Sequence, residues 1–120
     1  MIKEYDIEAI KKMFYKDMVY IDDPIDQFTM HGMLHDAVIM DRVELFDFLL
    51  QQKANLMMRD FHGYTPMLKA ASLGRFDMVK KLIEAGVDPR HTDPLGNTPR
   101  DKASLYNKYE MMEYLKQKEI

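Results

Sequence analysis

Apolar residues recur along this chain at intervals of three and four, in short stretches that come in pairs and are punctuated by turn residues. The pattern is sharpest from Asp60 to Leu82, which runs D-F-H-G-Y-T-P-M-L-K-A-A-S-L-G-R-F-D-M-V-K-K-L. Asp60 and Gly63 are the favoured first and fourth residues of a type I turn. Thr65 suits an N-cap, and Pro66 suits the first helical position, where a missing N–H costs nothing. A short helix is therefore predicted from Pro66, ended by Gly74 in a left-handed conformation. A second helix follows from Phe76 to Ala85 and is closed by Gly86.

This unit of turn, helix and helix returns after thirty-three residues. Asp60 maps to Asp93, Gly63 to Gly96, Thr65 to Thr98, Pro66 to Pro99, Ala70 to Ala103, Met78 to Met111 and Leu82 to Leu115. A weaker copy lies thirty-three residues earlier, where Leu34, Ala37, Glu44, Leu45 and Leu49 match Met67, Ala70, Asp77, Met78 and Leu82. Such a period with Thr-Pro at a helix start marks stacked repeats.

The chain resembles the ankyrin repeat family from about residue 28 to 118. The family's T-P-L-H-x-A-A stands here as Thr65-Pro66-Met67-Leu68-Lys69-Ala70-Ala71, and its G-A-D-V-N-A-x-D as Gly86-Val87-Asp88-Pro89-Arg90-His91-Thr92-Asp93. The resemblance implies an all-α solenoid of stacked helix-turn-helix units with β-hairpin-like finger loops. Residues 1–120 are expected to form one domain. Residues 1–26 would be an N-terminal capping helix and long finger, 27–59 a degenerate first repeat, 60–92 a near-consensus second and 93–120 a C-terminal third.

Ile7, Ile10, Met13 and Phe14 have helical spacing, which gives the expected capping helix its apolar side. The first repeat departs most from the pattern. Met30 stands in place of Gly63, Gly32 and Met33 replace Thr-Pro, and Asp41 and Lys53 replace the two helix-ending glycines. Loss of these caps costs about 0.5–2 kcal/mol each, so this repeat is expected to fray first. The third repeat puts Arg100-Asp101 where the second has Met67-Leu68, a polar outer side suited to the end of a stack.

Composition narrows the classes of function. The chain is 47% hydrophobic and 31% charged, a globular balance, with a net charge of −3 and its basic residues interspersed among acidic ones. There is then no positive stripe for nucleic acid or for a membrane surface. No cysteine excludes disulfides and thiolate metal sites and fits a reducing compartment, the cytoplasm or else the nucleus. The first apolar run is too broken by charge to act as a secretory signal, and no stretch approaches a membrane span.

Candidate chemistry is sparse. His31 and His35 are four apart, but Gly32 at the N-cap puts His31 outside the helix, and no third ligand follows. His35 falls on the family histidine that ties loop to helix. His62 and His91 are expected to be surface contacts in the fingers. Asp22, Asp23 and Asp26 lack the glycine and terminal glutamate of a calcium loop. Positions matching the asparagine that the family offers for hydroxylation hold Met57 and Arg90. No phosphate loop, nucleophile elbow or carboxylate pair is found, so no enzyme, metal or cofactor is expected. Of the twelve methionines, Met67, Met78, Met111 and Met112 fall on inward positions as adaptable core filler, whereas Met40, Met57 and Met58 do not.

The resemblance further implies that finger tips and the exposed side of the first helices bind another protein. Residue by residue, this carries over to Phe28, Thr29, His31, Ile39 and Met40, then Phe61, His62, Tyr64, Ser72 and Leu73, then Pro94, Leu95, Asn97, Leu105 and Tyr106. The set is unusually apolar, and Ile39-Met40, Leu73 and Leu105-Tyr106 should form one ladder, as expected of an interface. The expected function is a non-catalytic adaptor or inhibitor with a protein partner. The alternative is a structural subunit of a larger assembly or a self-associating scaffold, such as a homodimer.

Overall fold

The computed structural model describes Glu8 and residues 32–119. The expected capping helix, the long first finger, and Phe28, Thr29 and His31 lie outside those residues. Among residues 32–119 six helices form three pairs: α1 (Met33–Ile39) with α2 (Val43–Gln51), α3 (Pro66–Leu73) with α4 (Phe76–Glu84), and α5 (Pro99–Leu105) with α6 (Tyr109–Lys118). No strand occurs among the described residues.

The first helix of each pair begins for a local reason. Thr65 Oγ1 accepts the Leu68 N–H at 3.2 Å, and Pro66 follows as the first residue of α3. At α5 the cap is reciprocal: Thr98 Oγ1 accepts from the Asp101 N–H while the Asp101 carboxylate accepts from the Thr98 N–H. The α1 start has Gly32 in place of threonine and makes do with its N–H donating to His35 Nδ1 at 3.4 Å. Gly74 ends α3 with φ of +75° and Gly86 follows α4 with φ of +102°. Where the glycines are lost, the turn is kept regardless: Asp41, Lys53 and Asn107 take φ of +56°, +59° and +62° at the corresponding positions. An L-residue there costs about 1–2 kcal/mol, least for Asp and Asn, whose side chains bond locally.

The first helices stack directly, α1 on α3 and α3 on α5, and each packs on the second helix of its own pair. The close stacking is possible because Ala37, Ala70 and Ala103 stand at the same position in successive first helices, all fully buried. Leu45, Met78 and Met111, then Leu49, Leu82 and Leu115, fill the layer between first and second helices and are buried in every pair. Burial of one such side chain stabilises by about 1.5–3 kcal/mol. Met67 is also buried and Met112 half-buried, while Met40 and Met57 are exposed.

Polar staples join the pairs. The Arg75 guanidinium donates to the Val38 and Ile39 carbonyls, both at 3.0 Å, and so closes the C-terminus of α1 from the neighbouring pair. His91 is a second clamp, within the second repeat, and ties the segment after α4 to the start of α3. Its Nδ1 bonds the Asp88 carbonyl at 2.7 Å, so that nitrogen carries the proton, and Nε2 then accepts the Thr65 hydroxyl proton at 2.7 Å. One repeat earlier, Met58 and Gly32 replace His91 and Thr65. The Met58 sulfur lies only 2.9 Å from where a Cβ on residue 32 would sit, so an apolar contact takes the place of the polar one.

Candidate protein-binding surface

The fingers are built around two buried aspartates. Asp60 Oδ1 accepts the N–H groups of His62 and Tyr64, both at 2.9 Å, while the Gly63 N–H bonds the Asp60 carbonyl and the Asp60 N–H bonds the Tyr64 carbonyl. Asp93 does the same for Leu95, Asn97 and Gly96. Each loop is thereby closed as a narrow hairpin with its acid turned inward and its tip turned out. Phe61 and Leu95 occupy the tips, 71% and 84% exposed. His62 is exposed and stands edge-on to the Phe61 ring at 6.0 Å.

Neighbouring fingers are locked together. Arg59 Nη1 donates to the carbonyls of Gly63 and Thr92, the second at 2.9 Å. Pro94 packs on Gly63 so closely that a Cβ there would meet its Cγ at 2.4 Å.

Tyr64 is the strut of the surface. Its carbonyl bonds His35 Nε2 at 2.9 Å, and its hydroxyl accepts from Lys102 Nζ at 3.0 Å, with the same ammonium 4.5 Å from its ring centre. Lys102 in turn meets Asp93 at 2.8 Å. One chain of contacts thus ties α1, the second finger, α5 and the third finger. Burial pushes the Asp93 carboxyl up, but Lys102 and the N–H groups of Asn97 and Leu95 outweigh it and hold the group below its usual value. Burial likewise opposes the Lys102 charge, and Asp93 and Tyr64 overcome it, leaving its pKa raised.

Of the side chains expected to meet a partner, Leu73 and Met40 are exposed at the ends of their helices, Leu105 is 63% and Tyr106 55% exposed, and Ile39 is half-buried. Tyr64 is half-buried and largely committed to Lys102. His91, expected on the surface, is instead half-buried between Asp88 and Thr65, because its ring completes the N-cap bonding of α3. Burial lowers its pKa and the nearby Arg59 charge adds to this, against the bond to the Asp88 carbonyl. Exposed Asp88 is held at about 2 by the Arg90 side chain and N–H.

Sequence reasoning passed over Lys102, Arg59 and Arg75. The spacing of nine between Asp93 and Lys102 was a usable signal for the first, since it recurs in Asp60 and Lys69. For Arg59 and Arg75 no signal existed, because both bond backbone carbonyls of other units. His35 uses both ring nitrogens within the fold, and no three His, Asp or Glu side chains converge as metal ligands among the described residues.

A model of ankyrin repeats, in three copies, matches residues 34–120. An ankyrin repeat protein of variola virus is 38% identical over 79 residues, 62% of this chain and 14% of the viral one. Mouse protein phosphatase 1 regulatory subunit 27 is 29% identical over 104 residues, 83% of this chain and 64% of that protein. A probable serine/threonine-protein kinase of Dictyostelium discoideum is 33% identical over 109 residues, 87% of this chain and 11% of the kinase. The chain spans less than two thirds of the length of each of these relatives.

Proposed function

The chain belongs to the ankyrin-repeat family, and on that premise we propose that it is a non-catalytic adaptor or inhibitor that binds a partner protein through its concave face and finger tips. Ankyrin repeats are protein-interaction modules and are generally non-catalytic. The observation that carries the reading is the ladder of large apolar side chains at two positions of successive first helices. Met40, Leu73 and Tyr106 are thirty-three residues apart, Ile39 and Leu105 sixty-six, and all but Ile39 are exposed. Contiguous exposed apolar surface of this kind marks interfaces.

The fingers favour the same reading. Arg59 and the Pro94 contact fix Phe61 and Leu95 relative to one another before any partner arrives, so little ordering entropy remains to be lost on binding. The mouse relative is by name a regulatory subunit of a phosphatase, which fits a chain that acts on another protein rather than on a substrate. The working units of the proposal are residues 27–59, 60–92 and 93–120, with 1–26 as cap. Its place of action is the cytosol or nucleus, on the strength of a chain without cysteine.

The test compares capture of proteins from the source cells by the native chain and by a Met40→Glu, Leu73→Glu, Leu105→Glu variant with native helical circular dichroism. A partner held by the first and lost by the second supports the reading. Equal capture by both removes the concave face from it, and capture only of further copies of the chain replaces it with a self-associating scaffold.

A further inference from the structure

Cavities of ≈ 430 and ≈ 300 Å³ lie between successive pairs where first helix turns into second, flanked by Val43, Phe76 and Tyr109. Arg75 and Lys108 line them together with Asp77 and Glu110, so that edge selects neither sign of charge in a partner. The finger side does select one. Its carboxylates are all turned to groups of the chain itself. Asp60 and Asp93 are buried at 6% and 4% exposure and hold the finger N–H groups. Asp101 accepts the Thr98 N–H in the cap of α5, and half-buried Asp36 is engaged as well. Asp41, in the turn after α1, approaches Arg75 at 3.9 Å.

The cations of this side are not all matched. Arg59 is exposed and bonds two carbonyls but no carboxylate among the described residues. Lys69 stands to Asp60 as Lys102 stands to Asp93, nine residues on. Lys102 and Asp93 form an ion pair, whereas none joins Lys69 to Asp60 or to any other carboxylate among the described residues. The Lys69 ammonium lies 5.2 Å from the Tyr64 ring centre instead, and Lys102 lies 4.5 Å from the same ring. The Tyr64 hydroxyl oxygen accepts from Lys102, and its own proton meets no acceptor among the described residues. A phenol polarised by an ammonium in this way is a stronger donor through its remaining O–H. Leu73 follows Lys69 by four residues, so the two share a face of α3 about 6 Å apart along its axis.

We propose that Lys69 and the Tyr64 hydroxyl form a subsite for a carboxylate side chain of the partner, set beside a large apolar side chain that packs on Leu73. The inference rests on the concave-face reading and supplies the partner's chemistry, an acidic amphipathic helix. Residues four apart on such a helix rise about 6 Å, which matches the spacing of Lys69 and Leu73. Arg59 and Lys69 steer the acidic segment to the finger side, and the donors of Lys69 and Tyr64 fix its register. The apolar contact with the ladder supplies the buried area.

The probe is a fluorescent Leu/Glu amphipathic helix of about 14 residues, about 21 Å long, followed by anisotropy. A Leu/Gln and a Leu/Lys helix of the same pattern serve as controls. The native chain should bind the Leu/Glu helix about tenfold more tightly than the Leu/Gln one, and the Leu/Lys one more weakly still. Lys69→Met should erase the preference for Glu over Gln, and Lys69→Glu should shift it to the Leu/Lys helix, with circular dichroism native in both variants. A Glu preference that survives Lys69→Met, equal binding of the three helices by the native chain, or binding of none overturns the subsite. The concave face is judged separately. Loss of both the Leu/Glu and the Leu/Gln helix in the Met40→Glu, Leu73→Glu, Leu105→Glu variant supports that face even where charge proves irrelevant, and the capture experiment tests it without these peptides.

Discussion

The Lys102 ammonium and the Asp93 carboxylate meet at 2.8 Å with their side chains 5% and 0% exposed, so an ion pair is enclosed inside the stack. Its partners are all supplied by the fold: the N–H groups of Leu95 and Asn97 bond Asp93, and the Tyr64 hydroxyl bonds Lys102. Removing one charge leaves the other buried and unmatched. Lys102→Met or Asp93→Asn is therefore expected to cost on the order of 3 kcal/mol, while Lys102→Met combined with Asp93→Asn costs less than the sum of the two singles. Urea unfolding midpoints of the three variants measure this, and strict additivity would deny that the pair acts as a unit.

The pH dependence follows from two native groups. His91 has a lowered folded pKa, so the native state favours the neutral ring. Stability from this group is complete above the unfolded value of about 6.5 and falls as pH descends towards the folded one. Protonation also puts a hydrogen on Nε2, the atom that accepts from Thr65. Asp93, also lowered, contributes stability that is present above its unfolded value and is lost as pH falls through the folded one. Thermal melting should thus decline in two stages on acidification, and His91→Gln should remove the first. An unchanged first stage in that variant would assign it elsewhere.

Arg75 closes the C-terminus of α1 with a fork that lysine cannot reproduce. Arg75→Lys keeps the charge and loses one of the two carbonyl bonds, so it should cost about 1–2 kcal/mol, and Arg75→Ala more. Chemical denaturation measures both, and equal stability of the lysine variant and the native chain would show that charge alone suffices.

Lys53 holds φ of +59° where the next repeat has Gly86. Lys53→Gly should stabilise by about 1 kcal/mol, because glycine enters the left-handed region without the Cβ penalty. The first pair, with strained turns and no side-chain cap on α1 or α2, should exchange its amide hydrogens ahead of the other two. Lys53→Gly should slow that exchange, and uniform protection across the three pairs would contradict the expectation.

Periodicity was legible wherever one residue type does one local job. Thr65-Pro66, Gly74 and the alanine column at 37, 70 and 103 each announce a cap, a turn or a close approach through chemistry that acts within a few residues. Asp41, Lys53 and Asn107 keep the same turns without glycine. There the stacking of neighbours imposes a conformation that the residue itself does not prefer. Of the expected contact residues, Phe61, Leu95, Leu105 and Tyr106 are among the most exposed apolar side chains described, the first two because they sit on finger tips and the last two because they lie at the uncovered end of α5.

The sequence by itself determined the repeat, the helix starts and stops, and the column of small residues, since each rests on interactions between near neighbours in the chain. Only the tertiary structure decided the partners of Lys102, Arg59 and Arg75, which lie on other turns of the stack, and that of His91, which lies twenty-six residues back in the chain. The reason is physical: a long polar side chain can reach several donors or acceptors of equal merit, and which one it meets depends on how the pairs are set against each other. The same holds for the cavities between Val43, Phe76 and Tyr109, which belong to no single repeat and exist only once two are stacked.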